Sequence, residues 1–275
     1  MSKKYEVGIS YGERRRKNNL EMAVLVDPAK CIGCRGCQVA CKRWNSLPGE
    51  DTEFSAEWTN PPHLSHQTWT HIQFKLEYDK TTDNTEWRFF NWRCMHCKVP
   101  ACAEACPVKA ITKYAEGPVV VDQNKCIGCK FCVSACPFHI PQFDPAVGKV
   151  SKCTMCFDRV LPSNGAKEPA CVQSCPTDAL VFGDRETILE KAKRRKQELN
   201  GYLYGDIDNK PLGGTSWIYV LNAQPSLFGL PEVGEALPTT LPVLQNSKWL
   251  LVPAALAGLF YLVSWRGRRL KEKEE

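Results

Sequence analysis

Cysteines are the residues best able to do chemistry in this chain of 275 residues, and there are sixteen of them. They fall into four groups of four, each confined to a short stretch: Cys31, Cys34, Cys37 and Cys41; Cys94, Cys97, Cys102 and Cys106; Cys126, Cys129, Cys132 and Cys136; and Cys153, Cys156, Cys171 and Cys175. Cysteines in such numbers serve as disulfides, zinc ligands or cluster ligands. The spacing within each group has to distinguish these three chemistries.

The third group, which ends in Cys136-Pro137, follows the C-x2-C-x2-C-x3-C-P run of bacterial ferredoxins. Three thiolates of that run hold one [4Fe-4S] cluster, and the fourth reaches a neighbouring cluster. Such groups therefore have to come in pairs. The first group has the same cysteine spacing, although Lys42 stands where proline is usual.

An internal repeat shows how the groups are related. Residues 24–34 recur 95 residues later as residues 119–129, and the second group, residues 100–111, recurs in residues 169–180. In the last group fourteen residues separate Cys156 from Cys171, where four separate Cys97 from Cys102. Two kinds of cysteine group thus alternate along the chain.

The repeat predicts how the four groups pair. The connection between the second and third groups is short and ferredoxin-like, so residues 94–141 should form one module, and by elimination residues 24–41 with 153–182 form the other. The predicted ligand sets of the four [4Fe-4S] clusters are Cys94, Cys97, Cys102 with Cys136; Cys126, Cys129, Cys132 with Cys106; Cys31, Cys34, Cys37 with Cys175; and Cys153, Cys156, Cys171 with Cys41. No cysteine is left over.

Three other cysteine chemistries fit the spacing less well. Zinc sites place two CxxC-like pairs about a dozen or more residues apart, whereas Cys31, Cys34 and Cys37 crowd three ligands into seven residues. Near-identical groups of four are a ligand pattern and not a disulfide scaffold. A covalent c-type haem needs histidine directly after CxxC, and none of the candidate pairs has it.

Short apolar runs between Gly- and Pro-rich turns predict an α+β fold, in which two interleaved ferredoxin-like modules carry insertions. We expect the four-cluster domain over residues 21–185, after an N-terminal tail of residues 1–20. An extension over residues 186–247 should contain a helix at residues 185–200 and a strand. Residues 42–93 form an insertion carrying Trp44, Trp58, Trp69, Trp87 and Trp92, which predicts a docking surface, with packing over the clusters as the alternative.

A run of 17 residues without charge, residues 249–265, predicts a transmembrane helix over residues 248–266. At about 1.5 Å per residue it would span about 26 Å, and tryptophan stands at both ends as in an interfacial belt. A buried helix in a complex is the alternative. Five basic residues follow within residues 266–275, and residues 267–275 form a basic tail in the sequence. The positive-inside rule therefore predicts a cytoplasmic C-terminus and a periplasmic cluster domain.

The basic string of residues 14–17 resembles the start of a twin-arginine signal, but only four apolar residues, 23–26, follow it. We therefore expect the cluster domain to cross the membrane bound to a partner that carries the signal. The formal net charge of +6 is modest, and no basic run is interleaved with aromatic residues, so nucleic acid is not an expected partner.

Five motifs together resemble the iron–sulfur beta subunit of respiratory formate dehydrogenase: CIGCRGCQVAC at residues 31–41, CMHC at 94–97, CIGC at 126–129, CTMC at 153–156 and GGTSWIYV at 213–220. The resemblance implies a non-catalytic electron-transfer subunit. Its partners would be a molybdenum or tungsten pterin catalytic subunit and a membrane cytochrome b subunit that reduces quinone. Membrane hydrogenases and molybdopterin reductases have similar subunits, and the same role in one of them is the alternative.

His96 stands between Cys94 and Cys97, where it could donate a hydrogen bond to a cluster sulfur and tune the reduction potential. The alternative is a surface histidine held by the tight loop.

Overall fold

The computed structural model describes residues 21–53, 58–79, 83–165, 167–206 and 213–231. The chain divides into two compact units, residues 1–235 and residues 236–275, and every described residue belongs to the first. The described strands are β1 (Met22–Val26), β2 (Thr70–Asp79), β3 (Asn84–Arg93), β4 (Ile111–Lys113), β5 (Val119–Val121), β6 (Gln142–Asp144), β7 (Lys149–Ser151), β8 (Leu180–Asp184), β9 (Tyr202–Tyr204) and β10 (Trp217–Leu221). The described α-helices are α1 (Gly36–Trp44), α2 (Ala101–Glu104), α3 (Phe131–Ala135), α4 (Phe157–Val160), α5 (Ala170–Gln173) and α6 (Arg185–Leu199). This mixture of helices and strands confirms the predicted α+β content.

The internal repeat of the sequence reappears as a repeated strand pairing. In one module β4 pairs antiparallel with β5, and Ile111 lies opposite Val121. In the other module β8 pairs antiparallel with β1, and Leu180 lies opposite Val26. Val26 and Val121 are equivalent in the repeat, as are Leu180 and Ile111, so the register is the same in both modules.

The two modules differ in the chain order of the paired strands. β4 precedes β5 by a short connection, whereas β1 and β8 are separated by residues 27–179, which contain the whole of the first module. The helices follow the same rule, because α2 packs against α3 in one module and α1 packs against α5 in the other. Each ferredoxin-like unit is thus built from two cysteine-bearing segments, and one unit is inserted into the other.

The second module continues into a four-stranded sheet with the order β8-β1-β10-β9, in which β1 and β10 are parallel. Helix α6 packs on one face of this sheet, where Ile188 and Ala192 lie one turn apart and contact apolar side chains of β1 and β10. The helix ends at Leu199, because Asn200 adopts a left-handed conformation with φ of 45°. The helix predicted at residues 185–200 is therefore found within one residue.

The insertion between α1 and the second cysteine group contains a long hairpin, in which all ten residues of β2 pair with β3. Trp58, which precedes the hairpin, contacts Trp87 on β3 edge-on, with ring centroids 5.5 Å apart. Trp58 is 64% exposed and Trp87 is 43% exposed. The inner end of β3 is buried and leads directly into Cys94.

The predicted transmembrane helix over residues 248–266, the basic tail over residues 267–275 and the N-terminal residues 1–20 lie outside the described residues. Among the helices of the described ranges, none combines the length and the apolar character that a membrane crossing requires.

Candidate iron–sulfur cluster sites

All sixteen cysteines lie within the described residues, and all are free thiols. This structure therefore shows no disulfide scaffold among these sixteen residues. Cys34 and Cys129 are exposed, whereas the other fourteen are buried or partly buried.

Three cavities are each lined by four cysteines. The three cysteine sets are Cys31, Cys34, Cys37 and Cys175; Cys106, Cys126, Cys129 and Cys132; and Cys94, Cys97, Cys102 and Cys136. In each set one cysteine comes from a different group of the sequence than the other three. These are three of the four sets predicted from the repeat.

The remaining four cysteines also lie together. Burial raises the pKa of Cys41, and the neighbouring Cys153, Cys171 and Cys156 raise it further. Cys41 is the last member of the first cysteine group in sequence but lies beside cysteines of the last group in space, which is the position that the ligand exchange requires.

The exchange of one cysteine between paired groups is what a two-cluster ferredoxin module requires, whereas zinc sites are typically formed by two CxxC-like pairs. Throughout the described ranges, no three His, Cys, Asp or Glu side chains are placed to hold a single metal ion. The all-thiolate donor sets and their cavities fit [4Fe-4S] clusters, which are held by four cysteines each.

Burial makes these thiols weak acids. It raises the pKa of Cys153 to about 11 and that of Cys132 to about 12, and neighbouring cysteines add to the shift at Cys132. A backbone N–H opposes the effect of burial on the pKa of Cys153, where Met155 N donates to Sγ at 3.4 Å. Because cluster ligands are thiolates, binding of iron has to drive release of these protons.

The CIGC loops need glycine in a left-handed conformation. Gly33 and Gly128 have φ of +68° and +69°, and a Cβ on Gly128 would lie 2.1 Å from the carbonyl oxygen of Gly148. The loop of Cys126 and Cys129 can therefore approach the β6–β7 turn only because residue 128 has no side chain.

Replacing Gly128 with alanine should therefore remove the cluster of the surrounding loop, which is about four of about sixteen irons per chain. The measurement is iron content and melting temperature of the anaerobically purified protein. Gly148→Ala is the matched control, because Gly148 has φ of +67° but a Cβ there would meet nothing within 4 Å. Equal iron loss in both variants would show that left-handed strain, and not the collision, is responsible.

His96 is fully buried, so the surface alternative for this residue is wrong. Its Nδ1 accepts a hydrogen bond from Val119 N at 2.8 Å, and burial, together with nearby Lys152 and Lys113, holds its pKa well below the ordinary value. The neutral ring therefore carries its proton on Nε2, which has no partner among the described residues. His96 lines the cavity of Cys94 and Cys97, so a hydrogen bond from this N–H to a cluster sulfur stays a prediction.

Sequence reasoning missed two buried cations, Arg93 and Lys152, which directly precede the CxxC pairs at residues 94–97 and 153–156. Burial lowers the pKa of Arg93, but Cys171, Cys153 and Cys37 raise it to a greater extent. A basic residue precedes the first cysteine of all four groups, and this regularity is the signal that could have pointed to the two cations.

The four cysteine sets are neighbours in one series. Cys102, Cys106 and Cys132 pack in one core cluster, which joins the Cys106/Cys126 set to the Cys94 set. Lys152, which directly precedes Cys153, lines the cavity of the Cys94 set. Arg93 donates to Cys171 Sγ and Asn91 donates to Cys37 Sγ, and these two side chains are hydrogen-bonded to each other. The order of neighbours is therefore the Cys106/Cys126 set, the Cys94 set, the Cys153 set and the Cys31 set.

Both ends of the series reach the surface. The two exposed thiols, Cys34 and Cys129, belong to the first and last sets. Ile32 and Ile127 stand beside them at equivalent positions of the repeat and are 58% and 62% exposed. Each terminal set thus has an exposed thiol with an exposed isoleucine next to it in the sequence.

The sequence matches two family models, each described as a 4Fe-4S dicluster domain, over residues 85–185 and residues 30–110. The chain is therefore an iron–sulfur protein with [4Fe-4S] dicluster domains. The second match joins consecutive cysteine groups, whereas the strand pairing in space joins the first group with the last.

Curated relatives show the family. The chain is 41% identical over 252 residues to the iron–sulfur subunit of the nitrate-inducible formate dehydrogenase of Escherichia coli K12, which covers 88% of this chain and 82% of that protein. It is 39% identical over 233 residues to the formate dehydrogenase iron–sulfur subunit of Haemophilus influenzae, covering 82% and 73%. Identity to a thiosulfate reductase electron transfer subunit of Salmonella typhi is 35% over 165 residues, covering 59% and 76%. The chain belongs to the family of formate dehydrogenase iron–sulfur subunits, which confirms the prediction of a non-catalytic electron-transfer subunit.

Proposed function

We propose that this subunit conducts electrons through four [4Fe-4S] clusters, from a molybdenum or tungsten formate dehydrogenase catalytic subunit to a membrane cytochrome b and its quinone site. The observation that carries the proposal is the series of four neighbouring cysteine sets, in which the first and the last set each have an exposed thiol. Such a series has one end for each redox partner. When bound, each cluster supplies one-electron chemistry, and the chain holds the clusters in order.

The ligand sets of the proposal are the four sets that the fold brings together. The exchange of one cysteine between paired groups ties each cluster to both segments of its module. The β1–β8 and β4–β5 pairs hold those segments in the same register. Strand pairing therefore holds together the two cysteine-bearing segments of each module.

The likeness to formate dehydrogenase subunits covers more of the chain and is closer than the likeness to the thiosulfate reductase subunit. Formate is therefore the proposed source of electrons. The second candidate, the same role in a membrane hydrogenase or a molybdopterin reductase complex, is favoured by the 35% identity to the thiosulfate reductase subunit.

The catalytic partner is proposed to contact the insertion hairpin β2–β3. Trp87 on β3 and Trp58, which contacts it from before the hairpin, expose large apolar surfaces. Leu76 and Tyr78 on β2 are 57% and 55% exposed. Aromatic side chains are enriched in interfaces, which supports this assignment for the exposed part of the insertion. The alternative of packing over the clusters describes the inner part of the hairpin, where Ile72, Phe89 and Asn91 line the cavity of the Cys31 set.

The protein purified anaerobically should contain about sixteen irons and about sixteen labile sulfides per chain, since each of four cubes holds four of each. Adding formate to the complex with its catalytic partner should reduce the clusters, as followed by EPR. Zinc in place of iron would end the proposal. Reduction by hydrogen and not by formate would favour the hydrogenase alternative.

We also propose that the C-terminal apolar segment, residues 248–266, anchors the subunit with its cluster domain in the periplasm and its basic tail in the cytoplasm. The cluster domain would cross the membrane already loaded and bound to a catalytic subunit that carries a twin-arginine signal. The charge bias next to the segment supports this orientation.

This topology predicts that protease added outside spheroplasts digests residues 1–247 and leaves a tag placed after Glu275 protected. Removing the signal of the catalytic partner should leave the cluster domain inside the cell. Digestion of the tag, with the cluster domain protected, would reverse the orientation.

A further inference from the structure

A basic residue directly precedes the first cysteine of each of the four cysteine groups, but the four basic residues differ in their surroundings. Lys30 and Lys125 precede the pairs of the two terminal cysteine sets and are exposed. Arg93 and Lys152 precede the pairs of the two inner sets and are 1% and 3% exposed. Position in the sequence is therefore the same for all four, and burial separates them into two classes.

Arg93 lies between the two sets of the second module. Its Nη1 donates to Cys171 Sγ at 2.9 Å and its Nη2 donates to Thr70 Oγ1 at 2.7 Å. Its Nε donates to Asn91 Oδ1, and Asn91 Nδ2 donates in turn to Cys37 Sγ at 3.2 Å. The guanidinium also stacks over Trp217, with Cζ 4.1 Å from the ring centroid.

These contacts hold the guanidinium in place from several sides. It touches a thiol of the Cys153 set directly and reaches a thiol of the Cys31 set through Asn91. Arg93 therefore connects two neighbouring cysteine sets by hydrogen bonds.

Lys152 holds the corresponding place between the two modules. It lines the cavity of the Cys94 set, and its Nζ donates to the carbonyl oxygens of Val119 and Cys153, the latter at 3.2 Å. One carbonyl belongs to β5 of the first module, and the other belongs to a cysteine of the second. The ammonium therefore lies at the step from one module to the other.

No ion pair within the described part of the chain joins Arg93 or Lys152 to a carboxylate. A buried cation without a counter-charge is strongly destabilising. The thiols that surround both cations become negative charges when they bind iron. The cysteine sets themselves are thus the counter-charge.

Reduction of a bound cluster adds one negative charge to its site. A fixed cation a few ångströms away in a buried environment stabilises the reduced form more than the oxidised form, and so raises the reduction potential. An exposed cation has a smaller effect, because water and salt screen its charge. By this argument Lys30 and Lys125 should have little influence on their clusters.

Resting on the proposed function, we propose that Arg93 and Lys152 are fixed counter-ions of the clusters that they adjoin. Their positive charges raise the reduction potentials of those clusters. Arg93 acts on the clusters of the Cys153 and Cys31 sets, and Lys152 acts on those of the Cys94 and Cys153 sets. The cluster of the Cys153 set adjoins both cations. Both cations raise the reduction potential of this cluster, so it is reduced more readily than it would be without them.

The test is an EPR-monitored redox titration of the full chain, purified anaerobically with its clusters, in which Arg93→Gln and Lys152→Met are compared with the unaltered protein. Each variant should move two of the four reduction steps to lower potential. We expect at least a tenfold fall in the ratio of reduced to oxidised cluster at fixed potential, which is about 59 mV for a one-electron couple. One step should be common to both variants, and it should be the step that disappears in Cys153→Ser.

Lys30→Met and Lys125→Met are the matched controls, because they remove the same charge from the equivalent position but from the surface. Their steps should move less than those of the buried variants. If Arg93→Gln and Lys152→Met keep about sixteen irons and move no step further than the controls do, the inference is overturned while the cluster assignment stands. An unaltered protein without about sixteen irons would instead overturn the proposed function.

Arg93→Lys covers the case in which Arg93→Gln loses iron. It keeps the positive charge but not the planar fork of donors. Potentials close to those of the unaltered protein would support a role for the charge. A fall as large as that in Arg93→Gln would assign the effect to the shape of the guanidinium and overturn the counter-ion.

Discussion

Replacing Cys136 with serine removes or alters the cluster of Cys94, Cys97 and Cys102, and leaves intact the cluster of the loop to which Cys136 belongs in sequence. Cys136 lines the same cavity as those three cysteines, whereas the loop cavity of Cys126 and Cys129 is completed by Cys106. Loss of the fourth ligand should cost up to about four of about sixteen irons. Iron analysis and EPR of the reduced protein measure the effect.

Two further variants identify the cluster that is lost. The EPR signal missing from Cys136→Ser should be the one missing from Cys94→Ser and should differ from the one missing from Cys129→Ser. Should Cys136→Ser and Cys129→Ser lack the same signal, the exchange of ligands between the paired groups is wrong.

Removing iron from the whole chain should abolish cooperative unfolding. Much of the buried core consists of cysteines, including Cys102, Cys106 and Cys132, which pack with valine and isoleucine side chains of β4 and β5. Without iron, Arg93 and Lys152 also lose their counter-charge. Both effects favour the unfolded chain, as in small metal-dependent domains.

Chelation under anaerobic reducing conditions, followed by thermal unfolding and near-ultraviolet circular dichroism, measures this dependence. We expect the sharp transition to disappear. It should return after reconstitution with iron and sulfide. A cooperative transition in the iron-free chain would show that its hydrophobic contacts are sufficient, with the sheet of β1, β8 and β10 under α6 as the part most able to persist.

The sequence alone predicted the pairing of segments that the fold shows. A [4Fe-4S] module needs two cysteine groups that exchange a ligand, so a repeat of 95 residues with two kinds of group leaves few ways to pair them. In one module residue 111 lies opposite residue 121, and in the other residue 180 lies opposite residue 26. The two registers agree because the repeated sequences around these residues are similar. The helix at Arg185–Leu199 was also predictable, since its apolar spacing and its end before Gly201 are local signals.

Only the tertiary structure decided the order of the four sets. Ligand spacing describes each loop and its partner, but the contact between the two modules brings together Cys94 and Cys153, which are far apart in sequence. The same contact decides which ends of the series face solvent. No local pattern encodes this arrangement, because it depends on how two complete modules pack.

Burial of the cations was likewise decided in three dimensions. Lys30, Arg93, Lys125 and Lys152 occupy equivalent places before CxxC, and their sequences give no reason to separate them. The outer two precede sets whose thiols reach the surface, whereas the inner two are enclosed by neighbouring sets on both sides. Types and spacing of residues thus predicted [4Fe-4S] clusters and the sets of cysteines proposed to hold them. Packing of one module inside the other determined the order of the clusters and the charges around them, because electrostatic surroundings depend on which surfaces exclude water.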